Sequence, residues 1–351
     1  MTPDAPDAAS RTRRVSRTVL GTDRPRTLLP GLLLVAALAG SAFAVNRWRE
    51  VISALVVAVL LGAVTANLGL IPSICRPGLA FAARKLLRLG VVLLGFRLTA
   101  TQIGDLGPKG LGLVVVVVTL TFFGTQWMAR RLGLSRPMGL LVATGFSICG
   151  ASAIAAMRGV VPEAEDEDVA YAIALVTLCG SLAIFLLPPI GKLIDFHGAT
   201  LGSWIGASVH DVAQTVATAA QGGTDTKTTA IVVKLTRVVL LAPLVAGVSL
   251  HRRRRGVAPA AGTRRPPVLP LFVAGFLAAI AVRSTGWIPA RGLADIKTVE
   301  TVLFAAALVG LGAGVEVAKL RRIGAAPLAL GLSSWALIAV VSAIGVKLLG
   351  L

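Results

Sequence analysis

Long apolar stretches separated by short polar joints leave this chain few ways to fold. Over its 351 residues, roughly eleven such stretches can be drawn, most of them close to the ~20 residues a helix needs to cross a bilayer. Inside lipid the backbone must satisfy its own amides and carbonyls, so each stretch is expected to be a helix. The spacing places spans at 28–45, 51–71, 79–98, 110–128, 138–157, 170–190, 201–220, 229–250, 268–282, 299–317 and 327–349. This predicts an all-α polytopic membrane protein with about ten or eleven transmembrane segments.

The net charge of +19 takes its meaning from that layout. No soluble folded domain is left to present a basic face, so nucleic acid is not the expected partner. The excess reads as Lys and Arg that hold loops on the cytoplasmic side. Basic clusters fall at 76–88, 130–136, 251–265 and 319–322, and with a cytoplasmic amino terminus every one of these loops is cytoplasmic. The expected setting is the cell (inner) membrane, with the carboxyl terminus outside. Residues 1–27 read as a flexible basic tail ahead of a single transmembrane domain, 28–351. Arg13-Arg14 and Ala42-Phe43-Ala44 resemble parts of a secretion signal, but the arginines lie far from the apolar run and an uncleaved first span is expected. Cys75, Cys149 and Cys179 have no metal-ligand spacing and read as small core residues, so no metal or cofactor is expected.

Polar residues inside spans carry the functional signal, because an ionisable group at membrane depth costs roughly 3 kcal/mol or more and faces a partner, a cavity or a pathway. Gly206-Ala-Ser-Val-His-Asp-Val-Ala-Gln214 holds Ser208, His210, Asp211 and Gln214 in one short run. If the residues after Ser208 are helical, His210, Asp211 and Gln214 share a face. Lys234 and Arg237 stand three apart in the next apolar run and offer the opposite charge. They either neutralise Asp211 or bind an anion directly. His210 beside Asp211 either carries a coupling proton or forms a bonded pair that steadies a helix break. Arg97 reads as an interfacial anchor and Asn67 as a bond to a neighbouring helix.

Two internal similarities bear on mechanism. Residues 94–107 match 311–324 without a gap, each closing one span and leading into the next. Cys149-Gly-Ala-Ser-Ala-Ile-Ala-Ala156 pairs with Gly206-Ala-Ser-Val-His-Asp-Val-Ala213, and both precede a further span. These imply internal inverted repeats, with related segments 79–190 and 201–349, only if both Gly-Ala-Ser segments are broken or re-entrant rather than crossing. A broken helix would leave free N–H groups at Gly150, Ala151 and Ser152 and again at Gly206 and Ser208, a ready site for an anion. The side on which the loop 163–168 lies separates the re-entrant arrangement from the crossing one. No phosphate loop, His/Cys metal cluster or nucleophile elbow is present in the sequence, so an enzyme is not expected.

The segments Cys149-Gly-Ala-Ser-Ala-Ile-Ala-Ala156, Gly206-Ala-Ser-Val-His-Asp-Val-Ala-Gln214, Lys234-Leu-Thr-Arg237 and Leu93-Leu-Gly-Phe-Arg-Leu98 resemble the signatures of the YeiH-type bacterial inner-membrane proteins, the UPF0324 group labelled as sulfate exporters. The resemblance covers residues 30–351. It implies a secondary carrier of ten or eleven spans, akin to carriers with crossed broken helices. The combined expectation is a secondary transporter of a small anion, sulfate or an organic sulfonate, working by alternating access, with homo-oligomerisation open. Ser152, Ser208, Gln214, Lys234 and Arg237 would contact substrate, and His210 and Asp211 would serve coupling. The rival expectation is an anion channel or a membrane-embedded sensor.

Overall fold

Helices carry the backbone hydrogen bonding, and no strand occurs among the described residues. The computed structural model describes residues 25–48, 53–99, 104, 107–254, 271–318 and 324–351. Arg13-Arg14 and the basic cluster 319–322 lie outside the described residues. Six helical segments are long and apolar enough to cross a membrane: Leu28–Trp48, Gly107–Arg131, Asp166–Leu193, Thr224–Arg252, Ala290–Ala313 and Ala325–Leu349.

The chain begins with α1 (Pro25–Trp48) and α2 (Ala54–Asn67). The expected span 79–98 is instead built in pieces. Helix α3 (Arg76–Phe81) runs through a π-helical turn at Ala82–Leu86 into α4 (Leu87–Leu94), which ends in a 3₁₀ turn at Gly95–Arg97. Next come α5 (Gly107–Arg131), α6 (Arg136–Ser147), α7 (Ala151–Arg158) and α8 (Asp166–Leu193). They are followed by α9 (Gly198–Ser208), α10 (Val212–Ala219), α11 (Thr224–Val239) and α12 (Leu241–Arg254). The last three are α13 (Leu271–Ser284), α14 (Ala290–Ala313) and α15 (Ala325–Leu349).

These helices sort into two bodies. One contains α1 to α4 with α13 and α14; the other contains α5 to α12 with α15, and contact between them runs mainly through α8, α10 and α11. The bodies interleave sequence from both ends of the chain. Asn67 stitches the first body by donating to the Val315 carbonyl at 2.7 Å and accepting from the Val317 amide at 2.7 Å.

The expected spans 138–157 and 201–220 are each split into a hairpin. In the first, α6 stops at Ser147 and the chain turns at Ile148, Cys149 and Gly150, whose φ of 71° and ψ of −133° favour glycine. A side chain at Gly145 would touch the Ile154 Cδ1 atom at 2.8 Å, whereas a continuous helix would hold these residues on the order of 13 Å apart. Arg136, at the start of α6, lines the same cavity as Val161 and Glu163, just beyond the end of α7. Both ends of this hairpin therefore lie together.

In the second hairpin, α9 stops at Ser208, Val209 and Asp211 are extended, and α10 begins at Val212. The Thr226 hydroxyl donates to the carbonyls of both Gly198 and Gly222 at 2.9 Å. A straight helix would have carried those carbonyls about 36 Å apart. Helix α8 joins the hairpins, and over 28 residues it spans roughly 42 Å, so they open at opposite ends of their body. Pro188 in α8 lacks the N–H that would reach the Ile184 carbonyl. Gln221 donates to that carbonyl instead, at 2.8 Å, and so pins the foot of the second hairpin to α8.

One end of this body is rich in arginine, with Arg130, Arg131, Arg136, Arg158, Arg252 and Arg254. Arg252 forms a bidentate pair with Glu163, both contacts at 2.7 Å, which holds the α7–α8 loop at the same end. Burial alone would raise the Glu163 carboxyl, but the hydrogen bond and charge of Arg252 outweigh it and hold it below its ordinary value.

Candidate substrate site

The two hairpin tips meet around a basic pair. Lys234 and Arg237 are fully buried on α11, which packs so closely on α9 that a side chain at Gly206 would come within 2.5 Å of the Ala230 carbonyl oxygen. Lys234 Nζ donates to the carbonyls of Ile148 at 2.7 Å and Val209 at 2.9 Å, one from each break. Arg237 spreads its fork further. Nε and Nη2 reach Phe146 and Ser147 at 3.0–3.2 Å, and Nη1 reaches Gly206, Ala207 and Val209 at 2.8–3.2 Å.

The physical reason lies in the breaks. Interrupting α6 and α9 strands the last carbonyls of each helix, and the two negative dipole ends point at one place. A pair of cations there satisfies the carbonyls of both helices at once, and the carbonyls offset the cost of burying the charges. No ion pair joins either cation to Asp211 among the described residues. The partners of the basic pair are carbonyls, and in this conformation the Arg237 N–H groups are committed to them.

The break also redirects the cluster read as one helical face. His210, Asp211 and Gln214 do not share a face, because the helix starts only at Val212. Buried His210 packs its ring on Phe146, centroids 4.4 Å apart, with Nδ1 3.3 Å from the Phe146 carbonyl oxygen. Asp211 caps α10 by accepting from the Ala213 amide at 2.8 Å and remains partly exposed. Gln214 turns to α8, donating to the Thr177 carbonyl at 3.2 Å and the Ser181 hydroxyl at 3.3 Å.

The two Gly-Ala-Ser triplets fall on opposite sides of their breaks. Ala151 and Ser152 open α7, present its first-turn amides and are partly exposed, whereas the Gly150 amide, expected to be free, donates to the Gly145 carbonyl at 2.9 Å and closes the turn. Gly206, Ala207 and Ser208 close α9, so they offer carbonyls where amide donors were expected. Ser208 bonds back within its own helix to the Trp204 carbonyl at 2.6 Å. Of the residues singled out from sequence, Ala151, Ser152 and Asp211 are therefore the open ones; Gly206, Ser208, Gln214, Lys234 and Arg237 build the frame behind them. Sequence reasoning missed Phe146, Thr177 and Ser181 as partners, all neutral residues in apolar runs with no charge to mark them.

The structure also shows a second polar cluster. Glu300 on α14 is fully buried, takes a bond from Arg97 at 3.3 Å, and lies 3.9 Å from Lys227 on α11. Arg97 thus has a buried acid partner and is not a simple interfacial anchor. Lys227 carried a signal that went unread: it lies two helical turns before Lys234 on the same face of α11.

Comparison with known proteins identifies the family. Residues 30–331 match the family model described as conserved hypothetical protein 698. The chain is 40% identical to a UPF0324 membrane protein of Corynebacterium glutamicum, covering 91% of this chain and 92% of the relative. It is 37% identical to the UPF0324 membrane protein TauZ of Paracoccus pantotrophus, over 85% and 88% of the two chains. To the inner membrane protein YeiH of Salmonella typhimurium it is 36% identical, over 88% and 91%. With its six membrane-length helices, the chain belongs to the UPF0324 family of multi-pass membrane proteins.

Proposed function

We propose that this protein is a secondary transporter of a small anion, with sulfate or an organic sulfonate as the substrate class, working by alternating access between its two helical bodies. The observation that carries this reading is the meeting of two helical hairpins, opening at opposite ends, around Lys234 and Arg237. In a bilayer such hairpins are re-entrant, and irregular backbone at membrane depth is tolerated where it is buried in protein or lines a pathway. The arginine-rich end faces the cytoplasm by the positive-inside rule, which also places the amino terminus there. Inverted repetition is supported by Gly107 and Gly324, which end the two matched segments with φ of 59° and 88° and each open a helix that joins the second body.

Substrate binds at the amide end of α7, at Ala151 and Ser152 beside the Gly150 turn, where N–H donors and a hydroxyl suit a tetrahedral oxyanion. Lys234 and Arg237 act from behind, by keeping the tip positive and holding both turns in register. Asp211, partly exposed beside this position, and His210 are the coupling groups. The test is flux of radiolabelled sulfate and taurine into proteoliposomes. Saturable, gradient-driven flux that Asp211→Asn abolishes and that Ser152→Ala weakens about tenfold, as expected for one lost hydrogen bond, supports the carrier. Flux that never saturates makes the protein a channel and overturns the reading.

A further inference from the structure

Away from the hairpin tips, the two bodies touch through charge at one place among the described residues. Arg76–Glu316 and Arg97–Glu300 lie within the first body; Arg158–Asp166, Asp195–His197 and Arg252–Glu163 lie within the second. Lys227–Glu300 alone connects them. It sits at the end where the second hairpin opens, since Thr226, next to Lys227, bonds Gly198.

Glu300 is unusual in having a buried oxygen left over. Oε2 accepts from Arg97, whereas Oε1 has no hydrogen-bond partner and meets Lys227 only at 3.9 Å, beyond bonding distance. A fully buried acceptor without a donor calls for a proton or a cation. One free oxygen is too few ligands for a metal cation, which takes several oxygens, and three positive side chains, Arg97, Lys227 and Lys297, already act on Glu300. Helix α4, which packs on α14 through Gly90 against Leu303 and Phe304, carries Arg88 as an exposed side chain, whereas α2 and α10, which also contact α14, carry no titratable side chain.

We propose that Glu300, with Arg97 and Lys227, is a proton-operated latch between the two bodies, distinct from the site at the hairpin tips. Ionised, Glu300 offsets one of the three positive charges around it and holds α11 to α14. Protonated at Oε1, it leaves Lys227 facing Arg97 and Lys297 without compensation, and the bodies separate at this end. Because α11 also carries Lys234 and Arg237, release of Lys227 is transmitted along one rigid helix to the tips.

The latch is tested without a transport assay, so its failure and that of the anion-carrier reading are distinguishable. The full chain, with Cys75→Ala, Cys149→Ala and Cys179→Ala, receives spin labels at the exposed positions Ala199→Cys on α9 and Ala294→Cys on α14. Distances are then measured by pulsed electron resonance in nanodiscs. The expected result is a short distance at neutral pH that lengthens on acidification, with Glu300→Gln locked at the long distance across the pH range. Lys227→Gln, at a less buried position, is expected to give the long distance too, and it serves if Glu300→Gln fails to fold. A short distance in Lys227→Gln, a pH response that survives in Glu300→Gln, or a shift produced by sodium at fixed pH overturns the proposal.

Discussion

Replacing Arg237 by leucine asks whether one side chain holds both breaks together. In the parent its guanidinium serves the carbonyls of Phe146, Ser147, Gly206, Ala207 and Val209. Val209 retains Lys234 and Phe146 retains His210, so Arg237→Leu strands the other three, which are buried at the ends of α6 and α9. At the low end of about 1 kcal/mol for each stranded acceptor, the loss is about 3 kcal/mol. Relief from burying a charge returns part of this. A net destabilisation of about 2 kcal/mol is expected, or a fall in melting temperature on the order of 4–8 °C by the scaling for large domains. Arg237→Lys keeps the positive charge at the two helix ends and loses only the fork, so roughly half that fall is expected. Cys75, Cys149 and Cys179 are all buried, so a thiol-reactive fluorophore reports unfolding directly. If Arg237→Leu melts within about a degree of the parent, or is milder than Arg237→Lys, the pair does not clamp the tips and the reasoning fails.

Three further outcomes follow from the same structure. A methyl at Gly206 would stand 2.5 Å from the Ala230 carbonyl oxygen and 2.9 Å from the Val233 Cβ atom, so Gly206→Ala should destabilise by about 1–3 kcal/mol in the same melting assay. Gly180→Ala drives a carbon to 1.9 Å from Gln214 Oε1; it should displace Gln214 from α8 and lower substrate affinity more than Ser181→Ala does, as read by calorimetric titration. Glu163 has its carboxyl held down in the fold by Arg252, so the pair stabilises fully at neutral pH and its contribution disappears as pH falls through the carboxylate range. Because the Glu163 side chain is 47% exposed, that contribution is below about 1 kcal/mol, and Arg252→Gln should flatten a small acid-side slope in stability against pH.

The spans were legible because apolar length alone decides which segments can sit in lipid, and α1, α5, α8 and α15 follow it closely, whereas α14 begins nine residues ahead of the expected 299–317. The breaks were legible in kind, since glycine and serine in mid-span mark a helix that can part. Their positions were not. The same triplet precedes one break and follows the other, and only the extended backbone at Val209 and Asp211 shows where α9 gives way. The spacing of Lys234 and Arg237 signalled a buried site, but their partners are carbonyls, which every residue carries and no sequence pattern marks. The contact between Arg97 and Glu300 joins residues 203 apart in the chain. Such a contact is fixed by how one body draws its helices from both ends of the chain, and local periodicity contains no trace of it.

The paired hairpins are tested most directly by asking from which side each of their feet can be reached. Single cysteines at Leu132 and Pro162 flank the first hairpin, and at Ala199 and Gly222 the second; all four positions are exposed. With an impermeant thiol reagent on sealed, oriented vesicles, Leu132→Cys and Pro162→Cys should be labelled from the cytoplasmic face only, and Ala199→Cys and Gly222→Cys from the opposite face only. Labelling of Leu132→Cys and Pro162→Cys from different faces would mean that α6 and α7 cross the membrane, and the site built between two re-entrant tips would not exist.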